Sequence, residues 1–351
     1  MPSLGCKDYR TLILPRATLS RTVLEVPWSS VKWGRVLDDT SSGSVTAGGG
    51  CCTDVLRDSI RPWSHTLAII RVGDGRVWSG PLVGIRDTDE GIAFDARDLS
   101  AWLDHRRVHD LHAHTLEELT SIYESLWDDA MAPDPIEDYT LSVTPGTVTG
   151  DREVLPEQNR IAGDELRELG RTGVDWTVVD RVHYVAADEI EADLLGLFIG
   201  EHFLSPPEVE IDGTVQANDW VVAGAGGGAE GDEVVGVASS TPGPEGLLES
   251  VASESGILDV TSADAAAATR LARSEVAPVF VRQGTLAATA PVGIGQLIPG
   301  ARARLSLSGR CLRVDATQRL LGVQVDVNRA GGAVTEQVTL SFEPLGTVAD
   351  T

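Results

Sequence analysis

Thr66-Leu67-Ala68-Ile69-Ile70-Arg71-Val72-Gly73-Asp74-Gly75-Arg76-Val77-Trp78-Ser79-Gly80-Pro81-Leu82-Val83-Gly84-Ile85 is a pair of β-rich runs around an Asp-Gly turn. Asp-Gly supplies the positive φ angles that a tight hairpin needs, so residues 66–72 and 76–85 are expected to pair antiparallel. A second turn at 87–91 leads into Ile92-Ala93-Phe94-Asp95-Ala96-Arg97, where apolar and polar residues alternate. Period-two alternation predicts a half-buried strand, and the three runs together form a meander with one face inward. Upstream, residues 40–50 are rich in Ser and Gly and read as a mobile loop.

Working outward toward the C-terminus, Ser100-Ala101-Trp102-Leu103 can start a short turn. Thr115-Leu116-Glu117-Glu118 then has the form of a capping box, with Thr115 as cap and Glu118 as third helical residue. Leu116, Leu119, Ile122, Tyr123 and Leu126 recur at helical spacing, and residues 131–135 end the helix. A second amphipathic helix is predicted over 159–171, with Ile161, Leu166 and Leu169 on one side, followed by strands at 175–179 and 182–186. Strands at 219–225 and 233–238 flank Gly226-Gly227-Gly228, and helices are predicted at 246–255 and 263–276. The remainder is β again: 278–284, 301–308, 311–316 and 320–327, with Val338, Leu340 and Phe342 alternating with Thr339 and Ser341. Short strands at this spacing suggest a barrel or sandwich. The expected class is α+β, with two antiparallel β-barrel or sandwich units and a mixed α/β insertion. The divisions fall at 1–100 (first β unit), 101–135 (helical connection), 136–215 (mixed α/β insertion) and 216–351 (second β unit, with two helices at about 246–276).

Composition excludes several functions. An apolar fraction of 42% argues against general disorder. Acidic residues outnumber basic ones 53 to 28, a net charge of −25, and Lys7 and Lys32 are the only lysines. Tight phosphate binding needs clustered Lys and Arg, so a nucleic-acid-binding role is not expected. An acidic wall would instead let DNA pass without sticking. Residues 1–21 lack the apolar run of a signal peptide, and no stretch approaches the roughly 18 apolar residues of a membrane helix. Assembly in the cytoplasm is the expectation. Cys6, Cys51, Cys52 and Cys311 fit no zinc-ligand spacing and read as free thiols.

A search for chemistry finds patterns with simpler explanations. His105, His109 and His112 would share a face on a helix, with His114 following and Asp104 or Asp110 as supporting carboxylates. No His-Glu-x-x-His motif is present and Arg106 and Arg107 interrupt the run, so an exposed connector is preferred to a metal site. Residues 224–231 are Gly-rich but lack the following Lys of a phosphate loop. Asp188/Glu189 and Glu191/Asp193 could mimic a glycosidase pair, yet among 53 carboxylates such neighbours arise by chance. Trp28, Trp33, Trp63, Trp78 and Trp102 could form a sugar platform, or serve as buried anchors, which is the preferred reading. No catalytic residue, cofactor site or metal site is assigned, and the chain is not expected to be an enzyme.

Val77-Trp78-Ser79-Gly80-Pro81-Leu82-Val83-Gly84-Ile85, followed by Phe94-Asp95-Ala96-Arg97-Asp98-Leu99-Ser100-Ala101-Trp102-Leu103, resembles minor tail proteins of long-tailed (siphovirus-type) phages of actinobacteria. In those proteins a Trp-x-Gly-Pro strand leads to an Ala-Arg-Asp-Leu-x-x-Trp-Leu corner. Residues 219–225, Gly246-Leu247-Leu248-Glu249-Ser250, 263–273 and Pro299-Gly300 follow in the order the resemblance implies, while about 130–210 matches least. The family resembles tail hubs, whose trimers supply two tube-like β domains per subunit. The resemblance implies a virion structural protein joining the tail tube or distal tail ring to a trimeric tip. Its implied partners are itself as a homotrimer, a tail tube or distal tail protein, a tape measure protein and tip or fibre proteins, with double-stranded DNA only in transit. The alternatives are a glycan-binding tail module, which predicts an exposed Trp row, and a cell-wall hydrolase, which predicts two carboxylates converging in one cleft.

Overall fold

The computed structural model describes residues 7–16, 22–48 and 59–344, with breaks at 90, 137, 172, 188–189, 191–193, 215, 225–233, 255–256, 258–259, 276, 278 and 310. The first seven strands are β1 (Tyr9–Pro15), β2 (Leu24–Val26), β3 (Trp28–Val36), β4 (Ser42–Ala47), β5 (His65–Arg71), β6 (Gly75–Thr88) and β7 (Gly91–Arg97). The expected hairpin is there: Thr66 opposes Pro81 and Arg71 opposes Gly75. β6 pairs with β5 through its first half and with β7 through its second, with a register shift between Leu82 and Gly84. One long strand thus serves two ladders, which bends the sheet.

The loop expected at 40–50 is a correction. Ser42–Ala47 forms β4, hydrogen-bonded between β3 and β7. Gly43, Val45 and Ala47 are buried, whereas Ser42, Ser44 and Thr46 are not. The alternation is that of a strand, written in residues so small that composition reads as a loop. Gly43 is required: a Cβ there would lie 2.6 Å from the Trp78 ring. Residues 49–50 lie outside the described residues.

Between residues 99 and 187 the chain builds a separate core. It comprises a 3-10 turn (Leu99–His105), β8 (His112–Glu118), α1 (Leu119–Met131), β9 (Thr140–Thr144), β10 (Thr149–Val154), α2 (Ala162–Arg171), β11 (Val174–Val179) and β12 (Val182–Ala187). The predicted cap is displaced. Thr115 and Leu116 belong to β8, Leu116 is 72% exposed, and Glu118 caps α1 by accepting from the N–H groups of Thr120 and Ser121. The inward stripe includes Leu119, Ile122, Tyr123 and Leu126, the predicted set without Leu116. Leu166, Leu169 and Trp176 close the core from α2 and β11.

The rest of the chain supplies β13 (Leu197–Ile199), β14 (Val209–Ile211), β15 (Asp219–Gly224), β16 (Val235–Ser239), β17 (Glu249–Glu254), α3 (Val260–Ser274), β18 (Val279–Val281), β19 (Gln283–Thr285), β20 (Arg302–Ser308), β21 (Arg313–Ala330) and β22 (Ala333–Pro344). The helix expected at 246–255 is instead β17, parallel to β15 over six residue pairs. Leu, Glu and Ala favour a helix locally, but the open edge of β15 offers backbone partners that override propensity. The two strands predicted at 311–316 and 320–327 are one, the 18-residue β21.

The large sheet runs β13-β20-β21-β3-β4-β7-β6-β5-β1-β2, with β22 on β21 and β19 on β22. Its central joint is the β3–β21 ladder, from Val36 opposite Gly322 to Ser30 opposite Asn328. Trp33, Trp78 and Phe94 share one core with Phe198, Leu305, Val325, Leu340 and Phe342. The α+β class agrees with expectation. The closed-barrel form does not: among the described residues no sheet closes on itself, and the large sheet ends in the three-residue edges β2 and β13. Short edges blunt an open sheet against indiscriminate pairing.

Candidate assembly surfaces

The Trp-x-Gly-Pro strand and the Arg-Asp-Leu corner that carry the resemblance prove to be one packing unit. Gly80 lies against the corner so closely that a Cβ would come within 1.6 Å of the Arg97 carbonyl oxygen. The buried Asp98 carboxylate then ties the corner together. It accepts from the Ser100 N–H at 2.9 Å, the Ser100 hydroxyl at 2.5 Å and the Ser41 N–H at 2.5 Å. The Trp78 indole N–H donates to the Ser41 hydroxyl at 3.2 Å. Burial pushes Asp98 up to about 6, opposed by the hydrogen bonds from Ser100 and Ser41.

Two basic side chains bolt the C-terminal part of the chain onto this frame. Arg35 is buried on β3 and donates to the carbonyls of Ile294, Leu297 and Val77 at 3.1, 2.8 and 3.0 Å. Burial lowers its pKa to about 10, which leaves it charged at neutral pH. The sequence held a signal for it: Val31, Trp33 and Arg35 share one parity in Trp28–Val36, so a cation falls on the inward face. Arg71 on β5 forms a two-pronged pair with Glu336 on β22, both bonds 3.0 Å, and Tyr9 donates its hydroxyl to Glu336 at 2.8 Å.

The 99–187 insertion meets the large sheet through a polar seam. Asp38 exchanges hydrogen bonds with the backbone of Trp176, both 2.8 Å. Thr177 donates to the Val36 carbonyl, Arg76 and Ser79 reach Asp180, and Arg319 pairs with Asp175 and Glu343. Burial pushes Asp38 up to about 7, opposed by the Trp176 N–H and reinforced by Asp175. Inside the insertion, His183 bridges the hydroxyls of Tyr123 and Tyr139 at 2.8 and 2.5 Å and stacks on Trp176. Burial pushes it down to about 3, so it stays neutral.

These shifts make the stability of the fold depend on pH. A carboxyl whose folded pKa is raised binds its proton more tightly folded than unfolded. Its contribution therefore favours folding at low pH and is lost as pH rises through the folded value, about 7 for Asp38 and about 6 for Asp98. His183 acts oppositely, losing stability as pH falls from 6.5 toward about 3. Near pH 5 the two carboxyls outweigh the one imidazole, so melting temperature is expected to rise from pH 8 to pH 5. Asp38→Asn keeps the acceptor for Trp176, suits the residue's φ of 58° and removes a charge beside Asp175. It is expected to stabilise by about 1–2 kcal/mol at pH 8 and by almost nothing at pH 5. Equal shifts at both pH values in thermal melts would contradict this account.

The residues singled out in sequence take bland positions. His105 lies in the 3-10 turn and meets Trp63 edge to face at 4.3 Å, and His109 is exposed. His112 and His114 lie on β8 and not on a shared helix; His112 bonds Ser125 at 3.0 Å and Asp129 at 3.2 Å. Among the described residues no group of three His, Cys, Asp or Glu is placed to hold a metal ion. Trp28, Trp33 and Trp78 are buried, while Trp63 and Trp102 are half-buried and meet edge to face at 4.9 Å. Cys311 is exposed and free. The carboxylate pairs at 188–193, the glycines at 225–231, and Cys6, Cys51 and Cys52 lie outside the described residues. Among the described residues no helix is long and apolar enough to cross a membrane, a statement that does not extend to β-barrels.

On the outward face of the sheet a groove of about 710 Å³ runs over β3, β4 and β21. Gly34, Ser42, Ser44, Gln324, Thr339 and Ser341 give it a hydroxyl and amide lining. Asp39 and Asp95 line it together with Lys32 and Arg97, so this groove does not carry the acidic excess of the chain.

No protein-family model matches the sequence, and none of the curated proteins matches it. Solved structures do match its fold. The 43 kDa tail protein of prophage MuSo2 from Shewanella oneidensis is similar at 12% identity with a TM-score of 0.67, covering 96% of this chain and 98% of that one. A tail protein from Neisseria meningitidis is similar at 13% identity and a TM-score of 0.65, covering 95% and 96%. An E. coli type VI secretion component, described as structurally similar to the T4 tail proteins gp27 and gp5, is similar at 12% identity and a TM-score of 0.52, covering 95% and 77%.

Proposed function

We propose that this chain is a structural hub subunit of a phage tail, part of the virion and not an enzyme. The observation that supports this most is likeness over nearly the whole length to tail proteins, at 96% and 98% coverage. In this reading, copies form a trimeric ring between the tail tube or distal tail ring and the tip, around the channel through which DNA leaves. A tape measure protein and tip or fibre proteins are its neighbours. The resemblance to actinobacterial siphovirus minor tail proteins supports a long-tailed particle, assembled in the bacterial cytoplasm, as its setting.

The topology supports a ring. Two tube-like units, one in 1–100 and one in 216–351, are the divisions of this proposal, and β3 and β21 pair across them edge to edge. Lateral pairing of that kind is what joins neighbouring units around a cylinder, and three copies of a two-unit subunit would give six. The edges β2 and β13 remain for the next copies. The glycan-binding alternative needs a row of exposed Trp, and three of the five candidates are sealed in the core.

Size exclusion with light scattering on the purified chain, together with negative-stain images of tails, tests this. The expected result is a trimer mass and a ring with a central hole at the tail tip. A chain that is absent from purified tails would sink the proposal.

A further inference from the structure

β16, β15 and β17 form a three-stranded sheet with α3 packed on one face. Which residues face α3 is fixed by contacts. Trp220 donates from its indole to Ser274 at 2.6 Å, Val222 is buried, and Gly236 sits so close to α3 that a Cβ would meet the Ala263 backbone at 2.0 Å. Alternation then puts Asp219, Val221 and Ala223 on the opposite face. Register fixes their neighbours: Val221 lies opposite both Val237 and Val251, and Asp219 opposite Ser239 and Glu249. The open face therefore carries a row of three valines beside a row holding two carboxylates. Val237 is 55% exposed and Val251 70% exposed. Valine in register across three strands is what a buried sheet face looks like, and here nothing among the described residues covers it.

We propose that this face docks another protein of the particle, one that presents an apolar side chain flanked by Lys or Arg. The proposal rests on the tail-hub reading and names a contact within it. Size sets the kind of contact. Strands about 4.8 Å apart make the valine row roughly 10 Å across. That seats one or two side chains and is far below the roughly 800 Å² per partner of a standard interface. The row is an anchor pocket within a larger polar contact. Charge sets the partner. Asp219 and Glu249 border the anchor, and each copy of this chain carries −25. A second copy presenting this same face would bring carboxylates to carboxylates, whereas a basic-rimmed partner gains at the same border.

A photo-crosslinking amino acid at Val251, in tails purified as assembled particles, tests this, with the same probe at exposed Asp110 as reference. The expected adduct joins this chain to a different tail protein, at a peptide with an apolar residue beside Lys or Arg. Asp219→Lys with Glu249→Lys should lower the adduct yield about tenfold, while the melting temperature of the purified chain stays unchanged, because both side chains lie on the open face. An adduct of the chain with itself overturns the proposal, as does a yield no higher than at Asp110 or one insensitive to charge reversal. Those results leave the hub reading intact. Absence of the chain from the particles would instead overturn the hub reading, and this contact with it.

Discussion

Gly80→Ala is expected to leave little folded protein, whereas Gly84→Ala, four residues along the same strand, should be close to neutral. The contrast isolates packing from strand propensity, because both positions lie in β6. A Cβ at Gly80 would sit 1.6 Å from the Arg97 carbonyl oxygen and 2.8 Å from the Asp98 Cα. Both are backbone atoms, so no side chain can swing away. Relief requires the corner at 97–98 to move, and that corner holds Asp98 and its bonds to Ser41 and Ser100. Forcing a methyl group into a packed core costs about 1–3 kcal/mol when side chains can adjust. With backbone on both sides, about 3 kcal/mol or more is expected. At Gly84 the nearest atom to a new Cβ is an Asp95 carboxylate oxygen at 3.5 Å, an ordinary contact. That change should fall within about 0.5–1 kcal/mol of wild type. Urea melts and soluble yield would report both, and near-equal behaviour of the two variants would contradict this packing account.

The same corner shows what sequence can and cannot disclose. Hairpins were legible because Asp-Gly and period-two alternation are local: β5, β6 and β7 fall where the pattern puts them. The valines and aromatics of the core followed from parity. β4 was missed because Ser-Gly-Ser-Val-Thr-Ala alternates by size more than by polarity, and only the Trp78 ring above Gly43 explains the choice. β17 was missed because its partner, β15, lies thirty residues earlier, and no local propensity reports an open edge. The helix cap slipped because Thr115 and Glu118 satisfy a motif that β8 then uses as strand, leaving Glu118 itself to cap. The joint between β3 and β21 spans almost 300 residues of sequence and has no local signature at all. Among candidate sites, the histidines and tryptophans drew attention by residue type, yet burial and pairing gave them structural positions. The acidic-bordered valine row was invisible for the opposite reason: Val221, Val237 and Val251 are ordinary until register aligns them.

Glu336→Ala should be among the most damaging single changes on the C-terminal hairpin. Arg71 and Glu336 have side chains only 1% exposed, and their two parallel bonds join β5, in the first hundred residues, to β22. Truncating Glu336 leaves the Arg71 cation buried beside Asp74, and it takes the acceptor from Tyr9. Breaking a buried pair from one side costs about 3–5 kcal/mol, and with Asp74 still beside Arg71 the lower end, about 3 kcal/mol, is expected here. Replacing both members tests whether that cost is the under-compensated cation or the lost contact. Arg71→Met with Glu336→Leu removes the charge and keeps the volume, so most of the stability should return. The difference between single and double variants, read from denaturant midpoints, is therefore expected to exceed 2 kcal/mol. A Glu336→Ala variant within about 1 kcal/mol of wild type would mean that water reaches Arg71 and that β22 is held by its ladders to β21 and β19 without the clasp. The clasp also bears on assembly. β22 packs beside the joint between the two halves of the sheet, so if the proposed trimeric ring forms, loosening it should broaden or abolish the trimer peak before the chain itself unfolds.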